Sequence, residues 1–409
     1  MYVVSDLENQ RVPIKVWLKQ GEMEDECLRQ AHNLSTLPFL YKWVALMPDT
    51  HAGMGMPIGG VIATTGVIIP NAVGVDIGCG MAFLQTDIKA EGLKAETKSG
   101  SLLQCLIGDI LRNIPVGFAH HQKKQECLTV DEAMQNLNLY EFAPNLVPEI
   151  ENGYFQVGTL GGGNHFIELQ QDEEGYVCIM LHSGSRHLGH KICSHFNEVA
   201  KELNSKWYTS VSADLRLAFL PMDTVEGKSY INYMNMALAF AKENREKMMD
   251  AVKDIFTGLC EKHFSQTPVY SNFINCHHNY AALENHYGKN VWVHRKGAIR
   301  VREGEAGIIP GAMGSFSYIV TGNGNEESFY SCSHGAGRLY SRTRAKETFS
   351  VEKVMLDLKE GGVVLGKHNK ADVAEECRFS YKDIEGVINN ELDLITPVKK
   401  LSTLGVVKG

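Results

Sequence analysis

The groups in this chain that could bind a metal or move a proton fall in short, glycine-rich segments. The first is Met47-Pro48-Asp49-Thr50-His51-Ala52-Gly53, and the second is Gly74-Val75-Asp76-Ile77-Gly78-Cys79-Gly80. In the second, glycines exclude a regular helix, so a turn must bring the Asp76 carboxylate and the Cys79 sulfur together. Such a turn offers a hard oxygen and a soft sulfur to one metal ion or a close pair. A buried thiol beside a turn-capping Asp would give the same residues. The third segment, Gly161-Gly162-Gly163-Asn164-His165-Phe166-Ile167-Glu168, exposes backbone N–H groups to an anion. It belongs to no strand–loop–helix unit of the dinucleotide-binding kind. Leu181-His182-Ser183-Gly184-Ser185-Arg186 ends an apolar strand on a His and an Arg, and Asn275-Cys276-His277-His278-Asn279 carries two adjacent imidazoles. Single histidines usually just pack. Several, each in a loop beside a strand, favour metal binding.

His334 has different surroundings. It lies in Ser331-Cys332-Ser333-His334-Gly335-Ala336-Gly337-Arg338, where small residues let a bulky group approach. A neutral imidazole nitrogen can attack phosphorus and hold it as a phosphoramidate; a further metal ligand is the alternative. Arg338, Arg342, Arg344 and Lys346 follow, with Arg338 and Arg342 on one face if the segment is helical. A second basic group, His294-Arg295-Lys296 with Arg300 and Arg302, frames an expected hairpin. Beside a phosphoryl-transfer histidine both groups read as phosphate contacts.

The elements that must position these residues form no regular strand–helix alternation. Residues 1–85 read as short strands and Gly/Pro turns, 100–150 as mainly helical, and 153–186 as strands again, notably Val177-Cys178-Ile179-Met180-Leu181. From Lys228 to Lys262, Tyr233, Met236, Ala237, Phe240 and Ala241 recur at helical spacing and read as a core stripe. Strands are expected again at Val291-Val293 and Tyr318-Thr321. Two capped helices follow, one after Ser350 ending at Gly361-Gly362, the other after Ser380 with Asp383 three residues on. This order predicts an α+β fold built on mixed sheets. The expected organisation is one domain over 1–409, with a helical insertion at about 190–265 between two strand-rich halves.

Bulk properties restrict the function classes. Hydrophobic residues make up 44% and charged residues 22% of the 409, as in an ordinary globular enzyme. A net charge of -8 gives no long-range attraction for nucleic acid, so any RNA-binding face must be locally basic. Met1 to Leu18 lack a basic start followed by an apolar run, and no apolar stretch reaches 18 residues, which predicts a cytoplasmic protein without a membrane span. The ten cysteines contain no CxxC pair and read as free thiols.

Taken together and in order, these segments resemble the RtcB family of RNA-splicing ligases, in its bacterial form. The matching runs are Met47-Pro48-Asp49-x-His51-x-Gly53, Val75 to Met81, Gly158 to Glu168, Met180 to Arg186, Ile274 to Tyr280 and Ser333 to Arg338. The resemblance extends from Val12 to Lys408-Gly409. It implies the complex mixed-sheet RtcB fold and two Mn²⁺ ions, one on Asp76, Cys79 and His165, the other on Cys79, His182 and His278. It implies GMP- and GTP-binding segments at Asn164, His165, Phe166, Ile167 and Glu168, at His278-Asn279, at Pro310-Gly311-Ala312-Met313, at Ser317, at His334-Gly335-Ala336-Gly337 and at Lys408. Glu168 and Lys408 would contact guanine, with Asp49, Arg186, Arg338 and Arg342 near phosphates or RNA. One departure stands out: Met54 and Met56 occupy places where many bacterial relatives carry a lysine and a hydroxyl residue.

The implied chemistry has three stages. His334 takes GMP from GTP and releases pyrophosphate. GMP passes to an RNA 3′-phosphate, formed where needed by opening a 2′,3′-cyclic phosphate. A 5′-hydroxyl then displaces GMP and seals the strand, in RNA repair or tRNA splicing. The partners so implied are GTP, RNA ends and, following some members of the family, an archease-type activator. Two rival readings use the same residues: a two-metal phosphoesterase acting through activated water, and an RNA-binding subunit with a structural metal.

Overall fold

The computed structural model describes residues 1–6, 8–136 and 142–409. Two sheets dominate it. One has six strands in the spatial order Tyr2–Val4, Ile14–Val16, Leu40–His51, Ile58–Thr64, Lys289–Lys296 and Asn279–His286. The other has eight and runs Tyr270–His277, Gly80–Lys89, Tyr176–Ser183, Phe166–Gln171, Ile395–Lys408, Phe316–Gly322 and Ala306–Ile309, with Val364–Gly366 added parallel to Ile395–Lys408. Parallel and antiparallel pairs occur together, as the α+β reading requires.

Strand alternation sorts the apolar residues onto two faces of the larger sheet. Ala82, Leu84, Val177, Ile179, Leu181 and Ile167 point to one side and pack with Leu106, Ile107 and Ile110 of the helix Leu102–Asn113. Ser101 and Gln104 close that helix's N-terminus as a reciprocal capping box. Met81, Phe83, Phe166, Cys178 and Met180 point to the other side, against Val354 and Leu358. His182 and Glu168 continue this second set, which puts both on the functional face.

The 40-residue helix Val225–Phe264 carries the expected core stripe and extends it. Tyr233, Ala237 and Phe240 enter one apolar cluster, and Met248, Val252 and Phe256 enter another. Each buried side chain of this size contributes about 1.5–3 kcal/mol, so the helix fastens two cores together. Tyr176–Ser183 before the helices and Tyr270–His277 after them both pair with Gly80–Lys89, so the strands on either side of the helical segment join one sheet. The helical segment is a cover over one continuous sheet.

Other local expectations are revised. The first 85 residues include a helix, Asp25–Ser35, that buries Cys27, Ala31 and Leu34. The helical reading of 100–150 holds for Leu102–Asn113 and Leu128–Gln135, and its part at 137–141 lies outside the described residues. Ser350 caps Val351–Glu360 as expected, but the next helix, Ile384–Asn389, is capped by Asp383, because Ser380 ends a separate short turn of 3-10 helix. No helix among the described residues is long and apolar enough to cross a membrane.

Candidate active site

Register brings the first candidate ligands together. Ser183 and His277 both pair with Gly80, and Phe166 pairs with His182. The residues just before or at these strand ends therefore converge: Asp76 and Cys79, His165, His182 and His278. His278 is the single residue between the last strand of one sheet and the edge strand of the other, and its amide donates to Cys79 O at 2.8 Å. Gly184 leaves room for Asp76, since a Cβ there would lie 2.3 Å from Asp76 Oδ1.

The donor atoms face one another. Cys79 Sγ is 3.4 Å from His165 Nε2 and 3.2 Å from His182 Nε2. His165 Nε2 is 3.1 Å from Asp76 Oδ2, and the Nε2 atoms of His182 and His278 are 3.4 Å apart. The donor atoms of Cys79, His165 and His182 all lie within 4.8 Å of one another, close enough to hold a metal ion. The opposite ring nitrogens of two ligands are already engaged: His165 Nδ1 meets Leu160 O at 2.9 Å and His182 Nδ1 meets Asn164 O at 3.2 Å. Carbonyl partners require Nδ1–H, which turns each Nε2 lone pair toward the cluster. His278 Nδ1 is buried without a partner among the described residues. Burial first, then the neighbouring rings, hold His182 and His278 well below the usual imidazole range, so both are neutral and able to ligate. Burial and the Asp76 carboxylate push the Cys79 thiol up, and ligation would displace its proton.

Beside this cluster stands His334, its ring centroid 4.8 Å from that of His278. One carboxylate oxygen, Asp49 Oδ2, accepts from His334 Nδ1 at 2.6 Å and from the His334 backbone N–H at 3.1 Å. Burial alone would raise the Asp49 carboxyl, but the adjoining His334 ring outweighs it and holds Asp49 ionised. His334 Nδ1 is thus the nitrogen held by Asp49, and Nε2 is the ring nitrogen directed away from the carboxylate. Gly337, at φ +75, allows the chain to turn so tightly that a Cβ would sit 2.1 Å from Asp49 O. Lys382 steadies the Asp49 segment by donating to Pro48 O and Thr50 O.

A cavity of about 420 Å³ opens from His182 and His334 to Glu168 and Lys408, within the size range of small-ligand sites. Asn164, Phe166, Pro310, Gly311, Ala312, Met313 and the run His334 to Gly337 line it, with Arg338 and Arg342 at one wall. Glu168 is buried; Gln170 Nε2 donates to its Oε2 at 2.7 Å and Thr403 Oγ1 at 3.3 Å. Burial pushes its carboxyl up to about 7 against these bonds and Lys408.

Several expected site residues sit behind this wall. Ile167 faces the apolar core, because alternation turns it away from Phe166 and Glu168. Ser317 supports the wall from within, accepting from Gly311 N at 3.1 Å. Asn279 ties Asp76 O to Gly297 N. Arg186 is held behind the glycine loop by Thr159 Oγ1 and Gly117 O. Arg338 does not share a helical face with Arg342: it lies in a bridge opposite Tyr381, and Arg342 begins a helix. Its guanidinium is filled by Tyr340 O, Glu375 O, Glu376 and Tyr381.

All of the second basic group except the exposed Arg302 is engaged within the fold. Arg295 is fully buried and paired with Glu284, Lys296 donates to Met54 O and Asn71 O, and Arg300 pairs with Glu305. These residues do not form one hairpin. Lys289–Lys296 pairs with Asn279–His286 and Ile58–Thr64, whereas Ala298–Arg300 pairs with Ser331–Ser333. The Met54 carbonyl thus receives a buried lysine, and Met56 is core.

Sequence reasoning missed Arg245 and Glu376. Arg245, fully buried on the long helix, donates to Gly78 O, Ser183 O and Asn275 Oδ1 and so clamps the loops carrying Cys79, His182 and His278. A charged residue four after Ala241 and three before Met248, within the apolar stripe, was the available signal. Glu376 gathers Arg338, Tyr381 and Lys408 from three distant segments, and nothing local marks it.

With this geometry in place, comparisons with known proteins agree over nearly the whole chain. The family model described as tRNA-splicing ligase RtcB matches residues 30–409. The chain is 40% identical to the RNA-splicing ligase RtcB of Escherichia coli K12, over 98% of this chain and 99% of that protein. It is 31% identical to the tRNA-splicing ligase RtcB of Methanococcus maripaludis, over 99% and 97% respectively. A third relative, the RNA-splicing ligase RtcB of Mycobacterium bovis, is 31% identical over 93% of this chain and 100% of its own length. This chain therefore belongs to the RtcB family.

Proposed function

We propose that the chain is an RNA ligase that uses GTP and Mn²⁺ to join RNA 3′-phosphate or 2′,3′-cyclic phosphate ends to 5′-hydroxyl ends, with His334 as the guanylylated nucleophile. One observation carries the reading: Asp49 commits His334 Nδ1 at 2.6 Å, which leaves Nε2 as the attacking atom beside the Cys79 cluster. Asp76, Cys79, His165, His182 and His278 face one another without His334, which lines the cavity shared with Glu168 and Lys408.

In this reading GTP lies in the cavity with its base at Glu168. The Glu168 carboxylate can accept both N–H donors on the guanine Watson–Crick edge, which adenine does not offer. His334 Nε2 forms a bond to the α-phosphorus as the bond to pyrophosphate breaks. Asp49 stabilises the positive charge that the ring acquires. An oxygen of the RNA 3′-phosphate then displaces His334, and the 5′-hydroxyl displaces GMP from the activated end. Bound cations, on Asp76, Cys79 and His165 and on Cys79, His182 and His278, would neutralise charge on the phosphate oxygens. Arg342, whose side chain is 52% exposed and meets Glu375 and Glu376 only at 3.9 and 3.7 Å, is the better candidate for an RNA phosphate than Arg338, whose guanidinium is hydrogen-bonded on every nitrogen.

The test is incubation with α-labelled GTP and Mn²⁺, followed by denaturing electrophoresis. An acid-labile covalent label on the wild type, absent from His334→Ala, is expected, together with sealing of RNA bearing these ends. Equal labelling of His334→Ala, or no labelling of the wild type, refutes the assignment. A phosphoesterase acting through water would keep its activity without His334.

A further inference from the structure

One aromatic side chain outside the cavity is held in solvent by a well-bonded loop. Phe118 is 105% exposed. The loop around it is closely tied: Leu160 N donates to Pro115 O, Gly117 N to Gly161 O and Ala119 N to Val116 O, at 2.9–3.1 Å. His121 N donates to Phe155 O at 2.9 Å, and Arg186 Nη2 to Gly117 O at 3.0 Å. Single exposed apolar residues are common and need no explanation. Phe118 differs in its rigid support and in its position.

That position is the rim of the site. The loop docks on Gly161, whose own Cβ would lie 2.6 Å from the His165 ring. From there Gly161, Gly162 and Gly163 form a strip without side chains. A Cβ at Gly162 would be 3.6 Å from Gly117 Cα, and one at Gly163 would be 2.6 Å from the Arg342 guanidinium. The strip thus runs from Phe118 at one end to Arg342 at the other, beside Asn164 in the cavity wall. Lys123 and Lys124 are exposed farther along the Phe118 loop.

We propose that Phe118 is a stacking platform for an unpaired RNA base next to the reacting end, with the RNA backbone crossing the glycine strip toward Arg342. The inference rests on the RNA-ligase reading. Single-stranded nucleic acid is held by aromatic faces, which accept any base, combined with cations along the backbone. Phe118, the strip and Arg342 supply a face, a close approach and a charge in one line. Exposed Lys123 and Lys124 add local positive charge beside Phe118 in a chain whose net charge is -8.

The test uses the full chain and a short single-stranded RNA ending in a 3′-phosphate, with a fluorescent base analogue at its last position. Phe118→Ala should weaken binding about tenfold and reduce the quenching caused by stacking, while Phe118→Trp should restore both. Binding of Phe118→Ala within twofold of wild type, or quenching that Phe118→Trp fails to restore, overturns the proposal; the first result would instead mark the ring as a protein contact. Labelling by α-labelled GTP on the same preparations reports the ligase reading separately. Wild type that binds this RNA through Phe118 yet takes no label would overturn that reading and leave the platform standing.

Discussion

Replacing Asp49 by Asn tests the nucleophilic role proposed for His334. In many catalytic pairs an Asn can rotate and donate to the ring, which moves the ring proton to the wrong nitrogen and costs several orders of magnitude. Here the His334 backbone N–H also points at Asp49 Oδ2, at 3.1 Å. An amide NH₂ in that place would oppose this donor, so the Asn carbonyl oxygen must occupy it and the tautomer survives. What is lost is the charge. Hydrogen bonds to a charged partner are worth ~1.5–3 kcal/mol and neutral ones ~0.5–1.5 kcal/mol. The difference, about 1–2 kcal/mol, applies as the ring becomes cationic and predicts guanylylation slowed about 5- to 30-fold. The new NH₂ would lie at the Oδ1 position, which is buried without a partner among the described residues. That adds a stability loss of ~1–3 kcal/mol, to be measured separately by thermal unfolding. The assay is single-turnover labelling by α-labelled GTP at saturating Mn²⁺. A wild-type rate in Asp49→Asn would refute the role of the carboxylate. A loss as complete as in His334→Ala, in protein that remains folded, would refute the argument about the backbone N–H.

Other residues give independent tests. Cys79→Ala should abolish binding of the divalent ions, read by calorimetry, and the labelling with it; retained stoichiometric binding would exclude the sulfur as the shared ligand. Glu168→Gln should relax the preference for GTP over other nucleoside triphosphates, and it also has a pH signature. The folded carboxyl is raised from its ordinary value to about 7, so the native state binds this proton more tightly than the unfolded chain. Its contribution to stability is present at low pH and is lost as pH rises from about 4.5 through 7. The Gln variant should therefore be more stable than wild type at pH 8, by about 1–3 kcal/mol, and similar to it at pH 4; the reverse order in thermal melts would contradict the burial argument. Arg245→Met should destabilise the fold by several kcal/mol, because Gly78 O and Ser183 O lose a buried donor. It should also weaken metal binding at temperatures where the protein is still folded, and unchanged affinity there would show that the clamp does not set the ligand loops.

Sequence by itself determined the chemistry available to this protein. Asp76, Cys79, His165, His182, His278 and His334 could be singled out because glycine-rich segments and strand ends are visible in local residue order. The core stripe of the helix Val225–Phe264 was legible for a similar reason, since a 3.6-residue period is a property of neighbouring residues. Tertiary structure alone decided which groups are free to act. Arg295 and Arg338 look as available as Arg342 in the sequence, but close pairs with Glu284 and Glu376 engage them, whereas Arg342 meets Glu376 only at 3.7 Å and stays half exposed. Asp49 and His334 are 285 residues apart, so no local pattern could reveal their shared hydrogen bonds. Likewise, only strand register aligns Gly80, Ser183 and His277 and gathers the candidate ligands at one end of a sheet. Hydrogen bonds and ion pairs act over a few ångströms of space, whereas sequence records only order along the chain.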